Sequence, residues 1–188
     1  MSFEINSKSR AVFLDRDGVL NRALVRDGLP YPPHDISELE ILPGVVDALS
    51  LLKAAGFILI TVSNQPDVAR GTVQRENVES INAYLGERIL MDKFIMCYHD
   101  SSDKCSCRKP NPGMLYTGAT EFNIDLQNSF MVGDRWRDIE AGLNAGCKTI
   151  FIDYGYSERK PESYDFVANS LLEAAQIILS VEIKHENC

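Results

Sequence analysis

Arg10-Ala-Val-Phe-Leu-Asp-Arg-Asp-Gly18 begins with a short apolar run and ends in two carboxylates and a glycine. Four apolar residues bounded by polar ones, Ala11 to Leu14, read as a strand buried on both faces whose carboxyl end enters a loop at Asp15. The same pattern recurs downstream. Phe57-Ile-Leu-Ile-Thr-Val62 ends in Ser63-Asn64-Gln65, and Ser129-Phe-Met-Val132 ends in Gly133-Asp134. Lys93 to Cys97 and Lys148 to Ile152 are two further strand candidates. Helical stretches lie between them. Val45, Val46, Leu49 and Leu52 repeat at helical spacing between Pro43 and the stop Gly56, Thr72 can cap a helix running to about Leu90, Pro112 opens another to Phe122, and Ile139 to Ala145 is stopped by Gly146. Strands alternating with helices predict an α/β fold, a parallel sheet with helices on both faces. In such sheets ligands bind beyond the carboxyl ends of the strands, so Asp15, Ser63, Arg108 and Asp134 can gather on one rim. Arg22 to Leu42, broken by Pro30, Pro32 and Pro33, is expected to be irregular, and Lys184 to Cys188 reads as a polar tail.

A chain of 188 residues suits a single domain, 1–188, with room for a sheet covered on both sides. Its net charge of -8 disfavours nucleic acid and anionic lipid as partners, so an anionic substrate needs a local cluster of cations. The first fifteen residues carry Glu4, Lys8 and Arg10 without a signal-peptide core, and no apolar run reaches membrane-spanning length. The expected address is therefore cytoplasmic. In that reducing compartment the five cysteines are not expected to form a disulfide framework, and the clustering of three of them within eleven residues becomes informative.

Asp15 and Asp17 are two apart on an extended chain, so their side chains start on one face, and Gly18 permits the turn that follows. Two ionised carboxylates so close repel unless a metal or a shared proton separates them. A polar turn after a strand could carry the same letters, and Asp134 could simply cap the helix behind it. Together, however, Asp15, Asp134 and a backbone carbonyl at Asp17 offer the oxygen set that Mg2+ prefers, with Asp138 one helical turn further along. Arg108-Lys109-Pro110 could be a solvated basic pair; in an acidic protein it is also the local cation cluster that phosphate requires. Ser63, Asn64 and Gln65 add a hydroxyl and amides able to donate to phosphate oxygens. Cys97-x-His99 and Cys105-x-Cys107 supply three thiols and an imidazole, the ligand count of a closed zinc site, against the alternative of reduced cysteines in a polar loop. Asp100-Ser-Ser-Asp-Lys104 has no apolar side chain to order it, and a Zn2+ clip at 97–107 would fix Arg108 and Lys109 immediately after it.

These residues, taken in order, resemble the haloacid dehalogenase superfamily of phosphotransferases: Asp15-x-Asp17-Gly18, Ser63 after its strand, Lys109, and Gly133-Asp134-x-x-x-Asp138. The resemblance spans most of the chain. It implies a three-layer Rossmann-like sheet and a magnesium-dependent phosphomonoesterase working through a phosphoaspartyl intermediate. Asp15 is then the nucleophile, Asp17 the general acid and base, Ser63 and Lys109 the groups orienting the phosphoryl, and Asp134 the magnesium ligand. The Cys-x-His, loop, Cys-x-Cys-Arg-Lys-Pro pattern is similar to a branch of heptose-bisphosphate and histidinol-phosphate phosphatases. That likeness implies structural zinc on Cys97, His99, Cys105 and Cys107, no large cap domain, and substrate contacts from Arg108 and Lys109. Arg135 stands where the branch has a lysine. The expected substrate is the 7-phosphate of a heptose 1,7-bisphosphate, taken by a monomer. The alternatives are histidinol phosphate and a non-catalytic, phosphosugar-binding module. Arg22, Arg26 and His34 could meet a second phosphate or sit in a solvated loop.

Overall fold

The computed structural model describes residues 8–186; Glu4 and the last two residues of the expected tail, 187–188, lie outside the described residues. Six strands form one parallel sheet in the order β5-β4-β1-β6-β7-β8. They are β1 (Ala11–Leu14), β4 (Ile58–Asn64), β5 (Lys93–Cys97), β6 (Phe130–Gly133), β7 (Lys148–Ile152) and β8 (Phe166–Ala168), while β2 (Leu24–Arg26) and β3 (Leu29–Tyr31) form a separate antiparallel pair. The helices are α1 (Val45–Ala54), α2 (Pro66–Ala69), α3 (Arg75–Gly86), α4 (Gly113–Phe122), α5 (Trp136–Ala145) and α6 (Leu171–Glu186), with single 3-10 turns between some of them.

Alternation along β1 explains the three layers. Val12 and Leu14 pack into one core with α1, α3 and α6, represented by Leu49, Ile81 and Ile178. Ala11 and Phe13 face the other way, into a second core with Met114 and Leu115 of α4 and Ala141 of α5. A strand covered on both faces cannot alternate apolar with polar residues, which is why β1 and β6 read as continuous apolar runs.

The strand order reverses at β1: the chain runs outward through β4 and β5, then returns to β6 on β1's other edge. Leu14 pairs with Thr61 of β4 and with Val132 of β6, so the three strands end nearly level. Such a reversal point opens a crevice at the carboxyl ends, and Asp15, Ser63 and Asp134 all stand at it.

Four expectations need correction. The stretch 22–42 is not irregular throughout: Asp27 and Gly28, both at positive φ (51° and 75°), turn a hairpin in which Val25 pairs with Pro30. Helix α3 starts at Arg75 with Gln74 as its cap and ends at Gly86, while the Thr72 hydroxyl donates to the Asp67 carbonyl at 3.2 Å. Helix α5 starts at Trp136, earlier than Ile139. The presumed tail from Lys184 is helical to Glu186, because Leu171, Ala174, Ala175 and Ile178 give α6 a buried stripe against the sheet.

Candidate active site

Lys109 arrives from the loop after β5 and is 2% exposed. Its Nζ donates to Asp15 Oδ1 at 2.8 Å and to the Val62 carbonyl at 2.7 Å, and pairs with Asp138 Oδ1 at 2.6 Å. Burial works against the ammonium, but Asp138 and Asp15 outweigh it and hold Lys109 above the usual lysine range. The loop itself is clamped by Asn64, whose side-chain oxygen accepts from the Lys109 N–H and whose amide donates to the Lys109 carbonyl, both at 3.0 Å. Asn64, expected to donate to phosphate, therefore has its amide engaged on the Lys109 backbone.

Asp15, Asp134 and Asp138 each place a carboxylate oxygen within 4.8 Å of the others. The Asp15 carboxyl is pushed up to about 6, first by burial and then by the charge of Asp138, with Lys109 pulling the other way. Asp134 is raised well above the usual carboxylate range by burial, then by Asp15 and Asp138. Neither of its buried oxygens has a hydrogen-bond partner of good geometry, although the Tyr156 side chain is close enough to favour its charge. A buried carboxylate so poorly partnered beside two others is costly as it stands and is what a hard divalent cation satisfies, so the residues fit magnesium. Two glycines make the approach possible. A Cβ on Gly18, which is at φ 98°, would lie 1.9 Å from Asp134 Oδ2, and one on Gly133 would lie 2.1 Å from the Asp138 Cβ. Asp134 does not cap α5; Arg135 is the cap residue, and the Asp138 side chain accepts from its N–H at 3.0 Å.

Asp17 holds its carboxylate outside this acidic cluster. Arg16, which is fully buried, donates to it through Nε and Nη2 at 3.1 Å each, Asn21 donates at 3.0 Å, and the Gln65 amide at 2.8 Å. Gln65 also donates to Ser63 Oγ at 3.0 Å, which leaves the Ser63 hydroxyl proton free to point into the cleft. Gln65 is thus not placed as a phosphate donor; at 2% exposure it bridges Ser63 and Asp17. Arg16 and Asn21 were missed from sequence, although an arginine between two aspartates is itself a sign that one of them needs a fixed cation.

Above this floor opens a cleft of about 220 Å³. Leu29, Pro30, Tyr31 and Pro32 of the hairpin line it, as do Arg108, Arg135 and Arg137. Arg135 makes a two-pronged pair with Glu158, at 2.8 and 2.5 Å. Arg137 escaped the sequence reading. Arg22, Arg26 and His34 do not line the cleft: Arg22 pairs with Glu40 at 2.7 Å, His34 lies 3.2 Å from Glu38, and Arg26 stacks on Tyr31.

Beside the cleft, Cys97, His99, Cys105 and Cys107 converge. The Cys107 sulfur lies 3.0 Å from that of Cys97 and 3.4 Å from that of Cys105, with His99 Nδ1 at 3.2 Å. These separations are too long for a disulfide and approach the edges of a tetrahedron with metal–sulfur bonds of about 2.3 Å. Burial pushes the Cys97 thiol up, so a thiolate there needs a cation beside it. The loop's output is positional: Asn111 donates to the Cys105 carbonyl at 2.9 Å and Arg108 to the His99 carbonyl at 3.1 Å.

Comparison with known proteins adds to this geometry. The HAD-hydrolase-like family matches residues 106–174. Over 183 residues the chain is 34% identical to D-glycero-beta-D-manno-heptose-1,7-bisphosphate 7-phosphatase of Pasteurella multocida, covering 90% of this chain and 96% of that one. The enzyme of the same name from Yersinia pestis is 36% identical, with 89% and 94% covered. Among solved structures, the D,D-heptose 1,7-bisphosphate phosphatase of B. bronchiseptica, complexed with magnesium and phosphate, superposes with a TM-score of 0.73 at 28% identity, covering 92% of this chain and 99% of that one.

Proposed function

Because this chain belongs to the haloacid dehalogenase-like hydrolases and is a phosphatase, we propose that it removes the 7-phosphate of a D-glycero-D-manno-heptose 1,7-bisphosphate. The observation that carries the reading is the buried group of Asp15, Lys109 and Asp134 at the sheet's reversal point, together with the names of the relatives.

Phosphate monoesters hydrolyse very slowly unaided, so a catalyst must neutralise the transferring group and place a nucleophile in line. Asp15 stands fixed at the end of β1 as that nucleophile. Its oxygen bonds to phosphorus, the bond from phosphorus to the sugar oxygen breaks, and the departing alkoxide takes a proton from Asp17. Water then attacks the phosphoaspartate and gives a proton to Asp17; the bond to Asp15 breaks and inorganic phosphate leaves. Lys109 exchanges one of its present contacts for a phosphoryl oxygen, and Ser63 donates its hydroxyl proton to another. In the free enzyme Arg16, Asn21 and Gln65 hold Asp17 as an ionised carboxylate, so to carry the proton in either transfer it must turn one oxygen out of that cradle toward the substrate. Asp15 and Asp134 would hold magnesium, which would supply positive charge to the phosphoryl group.

We also propose that the Cys97–Cys107 clip holds structural zinc and that Arg108 recognises the substrate beyond the reacting phosphate. Elemental analysis of the purified protein is expected to give about one zinc per chain. For the substrate, kcat/KM in magnesium is compared for both anomers of the heptose bisphosphate and for histidinol phosphate. A preference of about a hundredfold for one heptose anomer supports the reading, and a preference for histidinol phosphate overturns it.

A further inference from the structure

The cations around the cleft can be divided by what already neutralises them. Lys109 has Asp15 and Asp138, Arg16 has Asp17, Arg70 has Asp67 and Asp100, and Arg135 has Glu158. Two guanidinium groups remain. Arg108 donates only to the His99 carbonyl, and Arg137, which lines the cleft, makes no direct ion pair among the described residues, with Glu158 and Asp138 acting on it only from a distance. Arg137 is half-buried, with its guanidinium 4.8 Å from the centroid of the Trp136 ring, a ring on whose face Arg159 also sits at 3.6 Å. Burial acts against its charged form, as do the neighbouring charges of Arg135 and Arg108, and the more distant carboxylates of Glu158 and Asp138 offset this only in part. An arginine does not lose its proton under such pressure; it calls for an anion.

We propose that Arg137 is a specificity-determining residue, which with Arg108 binds the second, non-reacting anionic group of the substrate at the cleft wall. The inference deepens the reading of the substrate as a bisphosphate and rests on it. The phosphoryl that reacts is held at the floor by Lys109 and Ser63, so cations on the wall are left for a charge elsewhere on the same molecule. A guanidinium fork matches two oxygens of a phosphate, and a half-buried position strengthens the contact. The hairpin arginines, which sequence alone offers for this task, are engaged elsewhere: Arg22 with Glu40 and Arg26 on Tyr31.

The test uses matched pairs of substrates, a 1,7-bisphosphate and the 7-phosphate of one heptose, and a 1,6-bisphosphate and the 6-phosphate of one hexose. The quantity read is the ratio of kcat/KM for bisphosphate over monophosphate within a pair. In Arg137→Met this ratio is expected to fall about tenfold or more, chiefly through KM, and Arg137→Lys is expected to keep part of it. Circular dichroism and Arg137→Gln separate loss of the contact from loss of the fold. A ratio unchanged by all three substitutions overturns the inference, as does a parent enzyme with no preference for the second phosphate in either pair. Which sugar the parent prefers tests the earlier reading alone: a hexose preference discards the heptose while the ratio still reports on Arg137.

Discussion

Asp15, Ser63 and Asp134 stand on the ends of three neighbouring strands, whereas Arg108, Lys109, Leu29 and Tyr31 stand on loops around them. The floor is held by the sheet: Leu14 is in register with Thr61 and Val132, and the residues beneath are fully buried. The walls have no such support. The loop from His99 to Cys107 is held by side-chain convergence and a few backbone contacts, and the hairpin by one turn and its own pairing. A floor of this kind keeps its shape when its chemistry is removed, and a wall of this kind loses its shape when its fastener is removed.

The largest expected effect separates chemistry from shape on the floor. Asp15→Asn should lower turnover by about a thousandfold or more, since the amide cannot attack phosphorus. The melting temperature should hold or rise, because a buried carboxyl raised to about 6 is replaced by a neutral group. Residual activity within about tenfold of the parent breaks the nucleophile assignment.

The walls should behave in the opposite way. Cys105→Ser, or removal of zinc by a chelator, is expected to speed amide exchange across 98–109 while β1, β4 and β6 keep their protection. As Arg108 and Lys109 lose their fixed approach, kcat/KM should fall by about tenfold to a hundredfold. A zinc-free protein with full activity would show that the Asn64 clamp on Lys109 suffices without the clip.

Floor chemistry also sets a pH dependence of stability. In metal-free protein Asp15 holds its proton up to about 6, against 3.8 ordinarily, and Asp134 is shifted the same way. The folded state therefore binds more protons than the unfolded chain between these values, so stability falls as pH rises through that window and is lower above it. For Asp15 the loss is on the order of 3 kcal/mol at most. Magnesium favours the ionised carboxylates and should flatten the slope. Denaturant midpoints across the window, with and without magnesium and in Asp134→Asn, measure this; equal slopes under all conditions would remove the cation from the cluster.

The same division governs how much could be read from sequence. Strand ends were legible because β1 and β6 are continuous apolar runs and β4 is one broken only by Thr61, each stopping at polar residues, and parallel topology then forces those ends together. That Cys97, His99, Cys105 and Cys107 would converge was legible from residue type alone. What a side chain turns toward was not: Gln65 and Asn64 look like phosphate donors in one dimension, but the register of Asn64 with Cys97 brings the Lys109 loop against them. Arg137 was hidden for a similar reason, since only the assembled cleft shows which cations lack partners. The hairpin was overlooked because its prolines outweighed a readable Asp27-Gly28 turn between Leu24-Val-Arg26 and Leu29-Pro-Tyr31.

That turn provides the smallest and most local test. Gly28 sits at φ 75°, where an L side chain is strained, and a Cβ there would meet Ser157 Oγ at 2.3 Å. The Gly28 carbonyl also accepts from the Ser157 N–H at 2.8 Å, which ties the hairpin to the segment carrying Tyr156 and Glu158. Gly28→Ala should therefore cost about 1 kcal/mol from the backbone conformation, and more from the contact, since the Ser157 Cβ at 2.9 Å must move as well as its hydroxyl. Because the sheet takes no part, the loss should appear as faster exchange in 24–31 and as a KM raised by about two- to threefold as Leu29 and Tyr31 shift at the cleft, with kcat nearly unchanged. If kcat falls as far as kcat/KM, the hairpin acts on the floor as well as on the wall, and the separation between them fails at this point.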